Sequence, residues 1–157
     1  MCIVSGMTEA TGGELLESLL PGLATLQAQI LILGKGSEHF GKLCTTLAKE
    51  RAHQVAIIPN SDAAVEEMLK ASDIALFCGE PTKAMAESCL KHGIVPVCMQ
   101  AAGLTNYNPN QESGNAFLYE GETPWHCFAA LVRAIETYRF PFDWKTIQRN
   151  GMEMLGE

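Results

Sequence analysis

Two hydrophobic patterns alternate along the chain. Short apolar runs at 2–6 (CIVSG), 29–34 (QILILG) and 54–59 (QVAIIP) have the length and density of strands covered on both faces. Between them apolar residues recur every third or fourth position. Leu15, Leu16, Leu19, Leu20, Leu23 and Leu26 predict a first helix, which Pro21 ends or kinks. Phe40, Leu43, Cys44 and Leu47 predict a second over about Ser37–Lys49. Val65, Met68 and Leu69 predict a third, to about Ala71, with Asn60 or Ser61 as its N-cap.

The stretch from Asp73 to Val97 repeats the pattern in compressed form. It predicts a buried strand, a turn carrying Glu80 and Pro81, a helix stopped by Gly93, and a second buried strand. In an open parallel α/β sheet the turn after a strand's carboxyl end is where ligands bind, because helix N-termini and unpaired amides point into the crevice there. Glu80 is therefore the first candidate for chemistry.

Beyond Ala101 the pattern breaks into an Asn-rich loop (LTNYNPNQES), placed at the surface and a candidate to face a ligand. A sixth strand follows at 115–120. Thr123 and Pro124 then open a helix to about Tyr138, with Phe128, Leu131, Val132 and Ile135 on one face. A last helix covers about Phe142–Leu155, and Trp125 and Trp144 are expected to pack within these two helices. The whole reads as one α/β domain over 1–157, a Rossmann-like open parallel sheet of about six strands with helices on both faces.

Composition narrows the function classes. A chain that is 47% hydrophobic and 18% charged is that of a globular protein, and no apolar run approaches a membrane span. No signal peptide is expected, since a strand-like segment follows Met1 directly. A net charge of −7 with no basic run argues against nucleic acid and anionic membrane as partners. Six cysteines (Cys2, Cys44, Cys78, Cys89, Cys98, Cys127) fall without a CxxC pair and mostly within apolar segments, the usage of reduced, buried thiols in the cytoplasm or another reducing compartment. His39, His53, His92 and His126 are scattered, and Cys89 with His92 supplies only two ligands, so no metal is expected. Ser5 and Ser88 lack the strained turn that activates a serine nucleophile. No cofactor is implied.

A run of short segments carries a family resemblance: Val4-Ser5-Gly6-Met7-Thr8-Glu9-Ala10-Thr11-Gly12, Leu31-Ile32-Leu33-Gly34-Lys35-Gly36, Ala71-Ser72-Asp73, Glu80-Pro81, Gly93-Ile94-Val95-Pro96-Val97, Thr123-Pro124, Ala129-Ala130-Leu131, Tyr138-Arg139 and Ile147-Gln148-Arg149-Asn150. In this order and spacing the chain resembles, over its whole length, the C-terminal half of bacterial glycogen and starch synthases. These are retaining glycosyltransferases built from two Rossmann-like domains with the donor sugar nucleotide between them. The resemblance implies ADP-glucose as donor, a growing α-1,4-glucan as acceptor, a separate N-terminal acceptor domain, and a cytoplasmic or plastid-stromal location. It places donor contacts at Glu80, Thr82, Lys83, Gly12 and Gly103.

The departures fall where such enzymes do their chemistry. A diphosphate leaving group needs positive charge as the glycosidic bond breaks. The Arg and Lys that the family supplies for this are Gly6 and Thr11 here. Lys83 stands where the family has a phosphate-approaching glycine, and Cys78-Gly79 forms a turn about two residues shorter. Asn60 replaces an aromatic near the adenine, and Ala101-Ala102-Gly103 keeps only the last glycine of a Thr-Gly-Gly turn. Losing one preorganised charge contact costs roughly 10²–10³ in rate. The implied activity is therefore degenerate and absent in this chain alone; the alternative is a non-catalytic module for a nucleotide sugar, a glucan or a protein.

Several residues carry two readings. Glu80 either accepts hydrogen bonds from ribose or sugar hydroxyls, or is only a carboxylate favoured at a helix N-terminus by about 0.3–1 kcal/mol. Lys83 either meets a phosphate as a point charge or fills its space. Glu87, one position short of the family spacing, is expected to be a solvated glutamate. Gly12-Gly13 and Gly34-Lys35-Gly36 are expected to be turns.

Overall fold

The computed structural model describes residues 1–3, 13–34, 37–121 and 123–156. Strands and helices alternate: β1 (Cys2–Ile3), α1 (Gly13–Leu23), β2 (Ile30–Gly34), α2 (Glu38–Glu50), β3 (Val55–Pro59), α3 (Asp62–Lys70), β4 (Ile74–Leu76), α4 (Lys83–Lys91), β5 (Val95–Met99), β6 (Phe117–Tyr119), α5 (Pro124–Tyr138) and α6 (Pro141–Leu155). All pairings are parallel. Five strands form two ladders, β3–β2 and β4–β5–β6. The two residues of β1 pair with both β2 and β4, giving the order β3-β2-β1-β4-β5-β6.

The strands are where the apolar runs predicted them, because β4 and β5 are buried on both faces. Pro96 is tolerated inside β5 for a geometric reason. Val95 donates its N–H to Asp73 O on the β4 side, so residue 96 faces β6, whose pairing with β5 begins only at Val97↔Phe117.

Helices cover both faces. Leu16, Leu19 and Leu23 of α1, Phe40 and Cys44 of α2, and Cys127, Ala130, Leu131 and Ala134 of α5 fill one core layer. Met68 and Leu69 of α3 with Ala86, Cys89 and Leu90 of α4 fill the other. Helix α6 joins the two, giving Trp144 and Ile147 to the first and packing Met154 on the second.

Local signals set the helix ends. Ser61, not Asn60, caps α3, its side chain accepting from Ala64 N at 3.3 Å. Pro21 lies in the last turn of α1. Gly93 follows α4 at φ 70°, the left-handed conformation that stops a helix.

Two expectations need correction. The fourth strand is shorter than its apolar run, ending at Leu76 although Phe77 and Cys78 are also buried. Trp125 is not a packing residue, since it is 78% exposed on the first turn of α5, whereas Trp144 is buried as expected. The continuation of the first strand to residue 6, and the turns at Gly12 and Lys35-Gly36, lie outside the described residues.

Candidate functional site

Because every strand is parallel, all their carboxyl ends open onto one rim of the sheet. β1 is followed by α1 in one helix layer and β4 by α4 in the other, so the connections diverge between these two strands. In parallel α/β sheets such a divergence is where the ligand crevice forms. The turn after β4 borders it, with Glu80 exposed between half-buried Gly79 and buried Pro81.

The turn is held by its backbone. Phe77 N donates to Val97 O at 2.9 Å, and Met99 N donates to Gly79 O at 3.0 Å. Thr82 then caps α4, its hydroxyl oxygen accepting from Met85 N at 3.3 Å. Lys83 is the first helical residue and is 79% exposed, so it does not fill the space beside the turn. Its Nζ lies 3.8 Å from Glu87 Oε1 one turn on. Glu87 is thus half-exposed and paired, where the sequence suggested only a solvated carboxylate. Glu80, Thr82 and Lys83 are brought together at the head of one helix.

Gly103, in the turn after β5, is held by contacts of its own. It adopts φ 81°, a Cβ there would lie 3.0 Å from Met154 Sδ, and its carbonyl accepts from Asn115 Nδ2 at 3.0 Å. Those contacts make it a structural turn against α6. Gly12, with Gly6 and Thr11, lies outside the described residues.

The Asn-rich loop spends its side chains on backbone. Asn106 Oδ1 accepts from Leu118 N, Asn108 Oδ1 from Asn110 N, and Asn115 Oδ1 from Thr105 N. From α6, Asn150 Nδ2 donates to Glu112 O and Gly114 O, and the Tyr107 hydroxyl donates to Asp143 Oδ1 at 2.6 Å. The composition that looked ligand-facing is explained by loop closure.

Elsewhere on the rim a hollow of ≈ 460 Å³ opens between the end of β2 and the first turns of α2, lined by Gly34, Ser37, Glu38, Gly41, Lys42, Thr45 and Ile57. Lys42 and Glu38 pair across it at 2.8 Å. Of the histidines, His39 meets Glu17, His92 meets Ser88 O and His126 meets Thr123 Oγ1. No group of three metal-ligating side chains occurs among the described residues, and none of their helices is long and apolar enough to cross a membrane.

One functional neighbour of the turn was missed in the sequence. Tyr119, at the end of β6, reaches across β5 and donates its hydroxyl to Phe77 O at 2.6 Å. Around it lie Cys78, Cys98 and Cys127, all buried. Burial pushes the Tyr119 phenol far up, with the neighbouring thiols adding to the effect. Burial likewise raises Cys98 to about 12 and Cys127 to about 11. The only sequence signal was a single polar atom at the end of an apolar strand.

Comparison with known proteins gives the ancestry. No family model matches the chain. Glycogen synthase 1 of Synechocystis sp. is 27% identical over 158 residues, covering 96% of this chain and 33% of that protein. The glycogen synthase of Geotalea daltonii is 31% identical over 157 residues, covering 96% of this chain and 32% of the relative. The chain thus spans about a third of the length of these curated relatives. Among solved structures, a glycosyltransferase from Rickettsia africae superposes with TM-score 0.69 at 13% identity, over 98% of this chain and 41% of that one. The C-terminal domain of a glycosyl transferase group 1 family protein from Francisella tularensis superposes with TM-score 0.67 at 13% identity, over 99% and 82%. The chain, an α/β domain of glycosyltransferase fold, is a homologue of the C-terminal part of the glycogen synthases.

Proposed function

We propose that this chain is the donor-side half of a glycogen-synthase-like glycosyltransferase with reduced catalytic equipment. It keeps the place that receives ADP-glucose, and it does not elongate an α-1,4-glucan by itself. The observation that carries the reading is the exposed Glu80 at the strand-end crevice, directly before a helix headed by Thr82 and Lys83. Glu80 would accept hydrogen bonds from ribose or glucose hydroxyls. Lys83 would meet a phosphate oxygen, at a helix N-terminus that favours negative charge. Its place there is otherwise unfavourable, since a cation in the first turn opposes the helix dipole.

A specific observation favours reduced activity. Glu87 sits 3.8 Å from the Lys83 ammonium and partly neutralises it, and the positions that the resemblance matches to the family's Arg and Lys are Gly6 and Thr11, which carry no charge. A leaving diphosphate would find little of the positive charge its transition state needs. The acceptor side would be supplied by an N-terminal domain, in the same chain or another. A non-catalytic module that holds a nucleotide sugar, a glucan or a protein is the second reading. The buried thiols fit a cytoplasmic or other reducing compartment such as a plastid stroma.

Calorimetric titration with ADP and ADP-glucose tests the proposal. Saturable binding that is lost in both Glu80→Ala and Lys83→Ala is the expected result. Absence of heat at millimolar ligand, or binding untouched by either substitution, overturns the donor-site reading.

A further inference from the structure

The ladder between β4 and β5 slips at its carboxyl end, and the slip has a partner. With Leu76 paired to Val97 and Phe77 N bonded to Val97 O, a regular parallel ladder would next send Met99 N to Phe77 O. Met99 N instead donates to Gly79 O, two residues further on. The slip withdraws the Phe77 carbonyl from the sheet while leaving it buried, which without a partner is costly. Tyr119 fills that vacancy, its hydroxyl lying 2.6 Å from Phe77 O.

We propose that Tyr119 is the positioning residue of the Glu80 turn. The side chains of Ile74, Leu76 and Cys78 join one core layer and those of Ala75 and Phe77 the other, so the strand's alternation persists through Cys78 although its ladder does not. The segment is therefore seated by packing but has two ways to pair its backbone. The regular pairing would draw Phe77 O to Met99 N and carry Gly79 and Glu80 away from their present place. The slipped pairing shortens the turn and sets Glu80 between the anchored Gly79 carbonyl and buried Pro81. The Tyr119 hydroxyl favours the second arrangement, because there it replaces the Met99 N–H as the partner of the Phe77 carbonyl, whereas in the first the ladder itself supplies one. Tyr119 touches no ligand in this arrangement and acts through the backbone. Its effect on ligand affinity rests on the donor-site reading above, whereas its effect on the turn does not.

Amide hydrogen exchange followed by NMR on the full chain, combined with ADP titration, tests the inference. In Tyr119→Phe the ring stays and only the hydroxyl goes. The amides of Phe77 and Met99, which bond across the β4–β5 end, are expected to exchange about ten-fold faster, while those of Ile32 and Ile58, in the β2–β3 ladder, hold their rates. ADP affinity should fall with them. Cys127→Ala removes the thiol that also meets the Tyr119 hydroxyl but keeps the Phe77 carbonyl as its acceptor, and should leave the turn amides unchanged. Unchanged turn amides in Tyr119→Phe overturn the inference. So does acceleration spread evenly to Ile32 and Ile58, the loss of cooperative melting, or an equal effect from Cys127→Ala, because each would assign the hydroxyl to the core and not to the turn. If the wild-type chain takes up no ADP, the donor-site reading fails, and the exchange pattern alone decides the role of Tyr119.

Discussion

Gly151 on α6 lies so close to Leu90 on α4 that a Cβ added to it would stand 2.8 Å from Leu90 Cδ2. Both residues are buried, so the two helices meet at the glycine. Gly151→Ala sets a gain in helix propensity of about 1 kcal/mol against a small displacement of Leu90, and urea unfolding should show little net change. Gly151→Val adds two more methyl groups to a filled seam and should cost about 1–3 kcal/mol. Equal midpoints for the wild-type and Val chains would mean that α6 does not rest on α4 in this way.

The loop that closes on α6 should be equally sensitive at two residues. Gly114 adopts φ 96°, and a Cβ there would run into the Asn106 carbonyl, which is backbone and cannot swing aside. Gly114→Ala is expected to lose more than about 2 kcal/mol through strain and clash together. Asn150→Ala leaves the Glu112 and Gly114 carbonyls without their donor and should lose about 1 kcal/mol, with faster proteolysis confined to residues 105–115. Cleavage spread across the chain would contradict a local role.

Stability should fall in alkali, because five buried acids, Cys44 among them, are held above their ordinary values. Burial raises the Tyr107 phenol to about 12, with the hydrogen bond to Asp143 and its charge adding to the shift, and raises Tyr119 further. Cys127 and Cys98 are raised to about 11 and about 12. Each group's folded pKa lies above its unfolded one, near 9 for the thiols and 10 for the phenols. The unfolded chain therefore gives up these protons first. Their contribution is complete below about pH 9 and is lost progressively as pH rises through the folded values. Denaturant midpoints should be level to about pH 8.5 and then decline. In Tyr107→Phe the decline between pH 10 and 12 should be shallower than in the wild-type chain, and an identical slope would show that Tyr107 ionises freely.

The sequence made the parallel architecture legible because buried parallel strands announce themselves as unbroken apolar runs. The position of Glu80 between a strand end and a capped helix was legible for the same reason, since it follows such a run. The premature end of β4 was not legible, because its cause is a change of hydrogen-bond partner between Phe77, Gly79 and Met99, and no side chain records it. Tyr119 was passed over because a phenol at a strand end packs like any aromatic until its hydroxyl has a partner. The backbone bonds of the Asn-rich loop were not legible, because asparagines that cap backbone and asparagines that bind ligands look alike in sequence. Trp125 was read as packing on hydrophobicity alone, and the helix start it occupies faces solvent.

Lys83 offers the cleanest separation of binding from folding. It heads α4, where a cation opposes the helix dipole by about 0.3–1 kcal/mol, and it regains about 0.3–0.5 kcal/mol from the exposed pair with Glu87. Lys83→Glu reverses both effects: the new carboxylate suits the helix N-terminus and repels Glu87. The melting temperature should therefore stay within about 2 °C of the wild-type value. An anionic ligand at the Glu80 turn would respond quite differently, because the substitution removes an attractive charge and adds a repulsive one at the same place. ADP affinity should fall by at least about ten-fold, most steeply at low salt, where charge contacts are least screened. Glu80→Gln should weaken binding less, because the amide keeps one acceptor for a hydroxyl, and its effect should be nearly independent of salt. If Lys83→Glu and the wild-type chain bind ADP alike across ionic strength, the phosphates do not lie at the head of α4, and the donor-site reading loses its cation.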